Sequence, residues 1–107
     1  MAKKVYLYVD DERKNPFTGM TPPQGVMYIT TRSYQATVDF LGYCRDMHWD
    51  VLIDLDHDLG EEKTGYDICK FIIENDYPLL GYMLHTMNPV GMQNMKQLLS
   101  HYGYTQY

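Results

Sequence analysis

Short apolar runs alternate with amphipathic stretches along the chain, and that order restricts the fold more than any other feature. KVYLYV (4–9), VMYITT (26–31), DVLIDLD (50–56) and PLLGYMLHT (78–86) are rich in β-branched and aromatic residues and predict four strands. Three other stretches carry helical spacing. Ser33 is a candidate N-cap for YQATVDFLGYCRDM (34–47), with Ala36, Phe40, Tyr43, Cys44 and Met47 recurring on one face. Thr64 stands before GYDICKFIIEN (65–75), whose Ile68, Cys69, Ile72 and Ile73 are expected to face inward. NPVGMQNMKQLLSHYG (88–103) sets Met95, Leu98, Leu99 and Tyr102 at core spacing. PFTGMTPPQG (16–25), rich in Pro, Gly and Thr, reads as a loop.

Strands that alternate with helices and are apolar along their length predict a mostly parallel α/β sheet covered on both sides. The 107 residues leave room for one domain, 1–107, with a single modest core. No apolar run approaches the roughly 18 residues of a membrane span. The start, MAKKVYLYVDDER, reaches Asp10 too soon for the apolar region of a signal peptide. Cys44 and Cys69 lack metal-type spacing and are expected to be buried, reduced thiols of a cytoplasmic protein. A formal charge of -5 argues against a broad nucleic-acid-binding surface. It leaves room for a single phosphate group brought in by a metal. The sequence specifies no oligomeric state.

In parallel sheets ligands bind outside the carboxyl ends of the strands. Strand one ends at Asp10-Asp11, strand three at Asp56-His57-Asp58 and strand four at His85-Thr86, so the unusual polar residues share one edge. Each aspartate alone reads better as the solvated end of a strand. Together, Asp10, Asp11 and Asp56 would repel one another unless a cation intervened. Oxygen-only donors favour a hard ion, Mg²⁺ or Mn²⁺, of the kind that bridges to a substrate phosphate. Asp54 lies inside its strand and points the same way as Asp56; it is expected to be a hydrogen-bonded, partly buried carboxylate outside the site. His57 and His85 end neighbouring strands and are candidate acid and base around a phosphoester, with Asp56 between metal and substrate. His48 and His101 lie away from this edge. Asn88-Pro89 reads as the capped start of the last helix, whose free N–H groups would face an anion. Arg13 is a candidate clamp on that anion, and Asp58, Thr86 and Asn88 complete the expected phosphate-binding set.

VDDER, LDHDLG and HTMNPVG, taken together, resemble the cyclic-phosphate processing receiver domain family, which is related to response-regulator receivers. That family's usual pattern runs strand-DD-x-R, S-L-D-H-D-L-G before a G-Y-D helix, then H-S-x-N-P-x-G-x-x-N-M. The matching residues are Asp10, Asp11 and Arg13; Leu55 to Gly60; Gly65, Tyr66 and Asp67; and His85, Asn88, Pro89, Gly91, Asn94 and Met95. Asp54 and Thr86 stand where Ser is usual. The resemblance implies a flavodoxin-like, receiver-type sheet and a Mg²⁺ site on the acidic pair and Asp56, with Asp56 at the receiver's phosphoacceptor position. It also implies processing of 2′,3′-cyclic phosphate ends on RNA or nucleotides.

Two departures from ordinary receivers stand out. Residues 12–25 read as a loop where a receiver has a helix. After Leu99 the chain offers SHYGYTQY, without the lysine that ends a receiver's fifth strand, so the fold is expected to be truncated. The leading expectation is a metal-dependent phosphoesterase acting on a cyclic phosphate. The alternative is a non-enzymatic, receiver-like signalling or binding module that accepts a phosphoryl group on Asp56. A third reading keeps the pocket for nucleotide binding alone.

Overall fold

A computed structural model describes residues 3–107. The elements run β1 (Lys4–Val9), β2 (Val26–Thr31), α1 (Tyr34–Asp46), β3 (Asp50–Leu55), α2 (Gly65–Glu74), β4 (Gly81–Leu84) and α3 (Pro89–His101). The strands pair in parallel in the order β2-β1-β3-β4, a compact receiver-like α/β arrangement. No helix among the described residues is long and apolar enough to cross a membrane.

Strand alternation separates two unlike faces. Val5, Leu7 and Val9 of β1 and Val51, Ile53 and Leu55 of β3 are at most 1% exposed. They form one core with Leu41 and Cys44 of α1, Ile68, Cys69 and Ile72 of α2, and Met95 and Leu99 of α3. All three helices therefore cover the same face, and the two-sided covering expected of the sheet is completed by a loop instead of helices. The reason lies in the strand order. The steps from β2 to β3 and from β3 to β4 run in one direction across the sheet, and right-handed crossovers place both helices on one face. The step from β1 to β2 runs the other way, so its connection belongs on the opposite face. With Pro16, Gly19, Pro22, Pro23 and Gly25, that connection forms turns instead of a helix. Phe17 covers the second face in its place, edge-on to Tyr6 with ring centroids 4.9 Å apart and stacked on Tyr28 at 4.8 Å.

Helix starts follow local chemistry. Ser33 accepts from the Ala36 N–H, Asn88 from Gly91, and Thr64 forms a reciprocal capping box with Asp67. The inward face of α1 differs from expectation. Thr37, Leu41 and Cys44 are buried, while Ala36, Tyr43 and Met47 are exposed. Thr37 turns inward because its hydroxyl is satisfied there, donating to Ser33 O at 2.7 Å and lying 2.8 Å from Thr31 Oγ1. Both cysteines are free and buried, and burial pushes Cys44 up to about 11 and Cys69 up to about 12.

Strand four is shorter than the run 78–86 suggested, because Pro78 lacks an N–H and Tyr77–Leu80 form the approach to the strand. At the far edge of β4, Tyr82 N–H donates to Thr105 O and Tyr107 N–H to Tyr82 O. The segment after α3 thus makes a single parallel bridge where a receiver has its fifth strand.

Candidate functional site

The second face of the sheet carries the chemistry. Tyr8 is in register with Asp54, and Asp54 with Met83. Two residues further along, the same register sets Asp10 beside Asp56 and Asp56 beside His85. Backbone bonds hold these strand ends: Asp10 N–H to Thr31 O, Asp56 N–H to Val9 O, and His85 N–H to Leu55 O. One donor atom each from Asp10, Asp56 and His85 lies within 4.8 Å of the others.

Each side chain is held differently. Asp10 is 1% exposed. Its Oδ1 accepts the Glu12 and Arg13 backbone N–H groups at 2.9 and 2.8 Å, and its Oδ2 lies 3.0 Å from His85 Nε2. Burial works against the charged form of Asp10, but these backbone bonds and His85 outweigh it and hold the carboxyl below its usual range. Asp56 is the contrast. It is only 8% exposed, yet its carboxylate has no hydrogen-bond partner among the described residues. The Asp56 carboxylate reaches solvent instead, since no buried side-chain oxygen among the described residues lacks a partner. It faces a cavity of about 280 Å³ lined by five carboxylates (Asp10, Asp11, Glu12, Asp56, Asp58) and one guanidinium, Arg13. That excess of negative charge would exclude a phosphate unless a cation entered with it. Asp10 and Asp56 could hold a divalent cation, and Asp11 lines the same cavity.

The expected residues fall into two groups. Asp10, Asp11, Arg13, Asp56, Asp58 and Thr86 line the one cavity. Arg13 lies at 3.9 Å from Asp10 Oδ2 with about half of its side chain exposed. Asn88 is spent on capping α3, with its Nδ2 turned to His57 at 3.4 Å. The two histidines do not share a pocket. The His57 ring packs on the first turn of α3, so close that a Cβ on Gly91 would come within 2.5 Å of it, and its Nδ1 meets Asp58 Oδ1 at 3.0 Å. The His85 ring lies on the opposite face, stacked on Tyr8 at 4.3 Å.

Asp54, set outside the site on sequence grounds, proves to be the hydrogen-bonded buried carboxylate expected and also part of this cluster. Its Oδ1 lies 2.6 Å from His85 Nδ1, and its Oδ2 accepts from the Tyr6 hydroxyl. Burial, and then Asp54, raise the Tyr6 phenol, so Tyr6 stays a donor. Arg32 also went unread: it donates to the Asp10 and Arg13 carbonyls at 3.0 and 2.6 Å and holds the acidic turn. The available signal was position alone, since Asp54 shares the strand face of Asp56 and Arg32 follows the end of β2.

Burial by itself would lower the His85 pKa, but bonds and charge from Asp54 and then Asp10 outweigh it and raise the imidazole above its ordinary value. A group bound more tightly to its proton in the native state stabilises the fold below its unfolded pKa, about 6.5, and that contribution disappears as pH rises through the native value. The metal-free protein is therefore expected to lose melting temperature on going from pH 6.5 into the alkaline range. In His85→Gln this part of the slope should vanish. Parallel pH profiles for the two proteins, with chelator present, would refute the assignment.

Fold and cavity define a receiver-like domain whose acidic strand ends could bind a metal ion. The family model for the Cyclic-phosphate processing Receiver domain matches residues 5–101, and the chain belongs to that family. No curated protein and no solved structure matches it.

Proposed function

We propose that the protein is a metal-dependent phosphoesterase that opens a cyclic phosphate, with a 2′,3′-cyclic phosphate end of RNA or a nucleotide as substrate. The observation that carries this reading is Asp56, whose carboxylate takes no protein hydrogen bond and opens, beside Asp10, into an acidic cavity of about 280 Å³. Family membership supports the substrate class. Asp10, Asp11 and Asp56 would hold Mg²⁺ or Mn²⁺, which supplies positive charge against the phosphate and acidifies water. Arg13 swings from the cavity wall onto a phosphate oxygen, and Thr86 faces the same anion. Water forms the new P–O bond and releases its proton to solvent through the open cavity, and the bond from phosphorus to one ribose oxygen breaks. His57, its Nδ1 held by Asp58, gives the proton from Nε2 to that leaving oxygen.

Product analysis with cyclic-phosphate mononucleotides and oligonucleotides tests this. The expected result is opening to monophosphates, stopped by chelation, with His57→Ala slower by roughly 10²-fold or more. His48→Ala, on the far side of the fold, should turn over as the wild type does. If no cyclic phosphate is opened with either metal, the proposal fails. The unpartnered Asp56 also suits a phosphoacceptor, although no lysine lines its cavity. A stable aspartyl-phosphate after incubation with a small phosphodonor, absent in Asp56→Asn, would put the signalling module first.

A further inference from the structure

An all-oxygen site would suit Mg²⁺, but the cluster contains an imidazole. Asp11, the third ligand expected from the sequence, turns toward Gly60, where a Cβ would lie 2.7 Å from its Oδ2. The third donor that the fold brings up to Asp10 and Asp56 is His85 Nε2. The His85 ring is fixed in that orientation from three sides. Nδ1 lies 2.6 Å from Asp54, the ring plane is within 9° of parallel to Tyr8, and Tyr6 holds the second oxygen of Asp54. Turning the ring over would break both its carboxylate contacts. A carboxylate on one imidazole nitrogen, with the other aimed at acidic ligands, is the arrangement by which proteins present histidine to a metal. Asp56, 8% exposed and with no protein hydrogen bond on its carboxylate, turns a ligand oxygen to within 4.8 Å of those of Asp10 and His85.

We infer that the cation is bound by His85 Nε2 together with Asp10 and Asp56, with Asp54 as the residue that positions the imidazole. Such a mixed nitrogen and oxygen set favours a transition-series ion, from Mn²⁺ to Zn²⁺, over Mg²⁺. The inference rests on the metal reading of the cavity and changes its ligand set and its preferred ion.

Pulsed electron paramagnetic resonance on the Mn²⁺-loaded protein reads the ligand directly. Coupling to one imidazole nitrogen is expected, and it should change to the heavy-isotope pattern when histidine is supplied as its 15N form. That comparison needs no substitution and so does not depend on a variant folding. The coupling should disappear in His85→Gln and persist in His57→Ala. Asp54→Asn is expected to weaken Mn²⁺ binding about 10- to 100-fold. At equal concentration, Mn²⁺, Co²⁺ and Zn²⁺ should raise the melting temperature more than Mg²⁺ does. Bound Mn²⁺ without nitrogen coupling would overturn this inference and leave an oxygen-only site standing. If none of the four ions binds, both readings of the cavity fall. Unchanged Mn²⁺ affinity in Asp54→Asn would remove the positioning role.

Discussion

Asp56→Asn is expected to abolish the response of the melting temperature to divalent ions and to slow cyclic-phosphate opening by at least about 10²-fold, beyond the cost of losing an outer partner of a metal ligand. The fold should survive the change. The carboxylate makes no hydrogen bond to the described residues, so the amide removes no protein contact, and it relieves repulsion among crowded carboxylates. The metal-free variant should therefore melt at or above the wild-type temperature. Asp10 would be a poorer choice for the same test. Its carboxylate also closes the turn through the Glu12 and Arg13 N–H groups, and Asp10→Asn would mix a loss of ligand with a loss of structure. Melts with and without Mn²⁺, paired with product analysis, check the expectation. A metal response in Asp56→Asn equal to that of the wild type would show that the cation sits elsewhere.

Gly65→Ala should produce the largest loss of stability. Gly65 is buried at the start of α2, and its N–H donates to His57 O at 2.8 Å. A Cβ there would lie 2.1 Å from the Asp56 carbonyl oxygen and 3.0 Å from Met95 Sδ. The obstacle is backbone, which cannot swing aside as the end of a flexible side chain does. Overpacking a core costs about 1–3 kcal/mol where side chains adjust, and this contact should exceed that range. At about 4–8 °C per kcal/mol for a domain near this size, the melting temperature should fall by more than about 10 °C. The displaced carbonyl belongs to Asp56, so metal affinity should drop as well. Gly42→Ala is the matched control: it lies inside α1, nothing sits within 4 Å of its added Cβ, and alanine there should stabilise by about 0.5–1 kcal/mol. If Gly65→Ala melts within a few degrees of the wild type, the tight junction of α2 with the end of β3 is misread.

Local chemistry made much of this protein legible from its residues. β-branched and aromatic runs mark the strands, Ser33, Thr64 and Asn88 mark the helix starts, and the polar clusters at the strand ends mark one edge of a parallel sheet. The match of VDDER, LDHDLG and HTMNPVG carries the family. These signals span a few residues each, and capping, alternation and turn chemistry act over that range. Relations between distant segments required the tertiary structure. Periodicity could not tell which stripe of α1 turns inward, because the answer depends on a hydroxyl of β2 waiting for Thr37. Nor could the list of strands show that every helix packs on one face, which follows from the direction of each step across the sheet. Asp54 looked like an isolated buried carboxylate until strand pairing set it against a histidine 31 residues away. Strand-end position placed His57 and His85 together, whereas side-chain direction separates them, one onto α3 and the other among the carboxylates. The sequence alone determined which residues gather at the carboxyl edge of the sheet; the fold decided which of them touch, because contact there depends on register, crossover direction and the face each side chain takes.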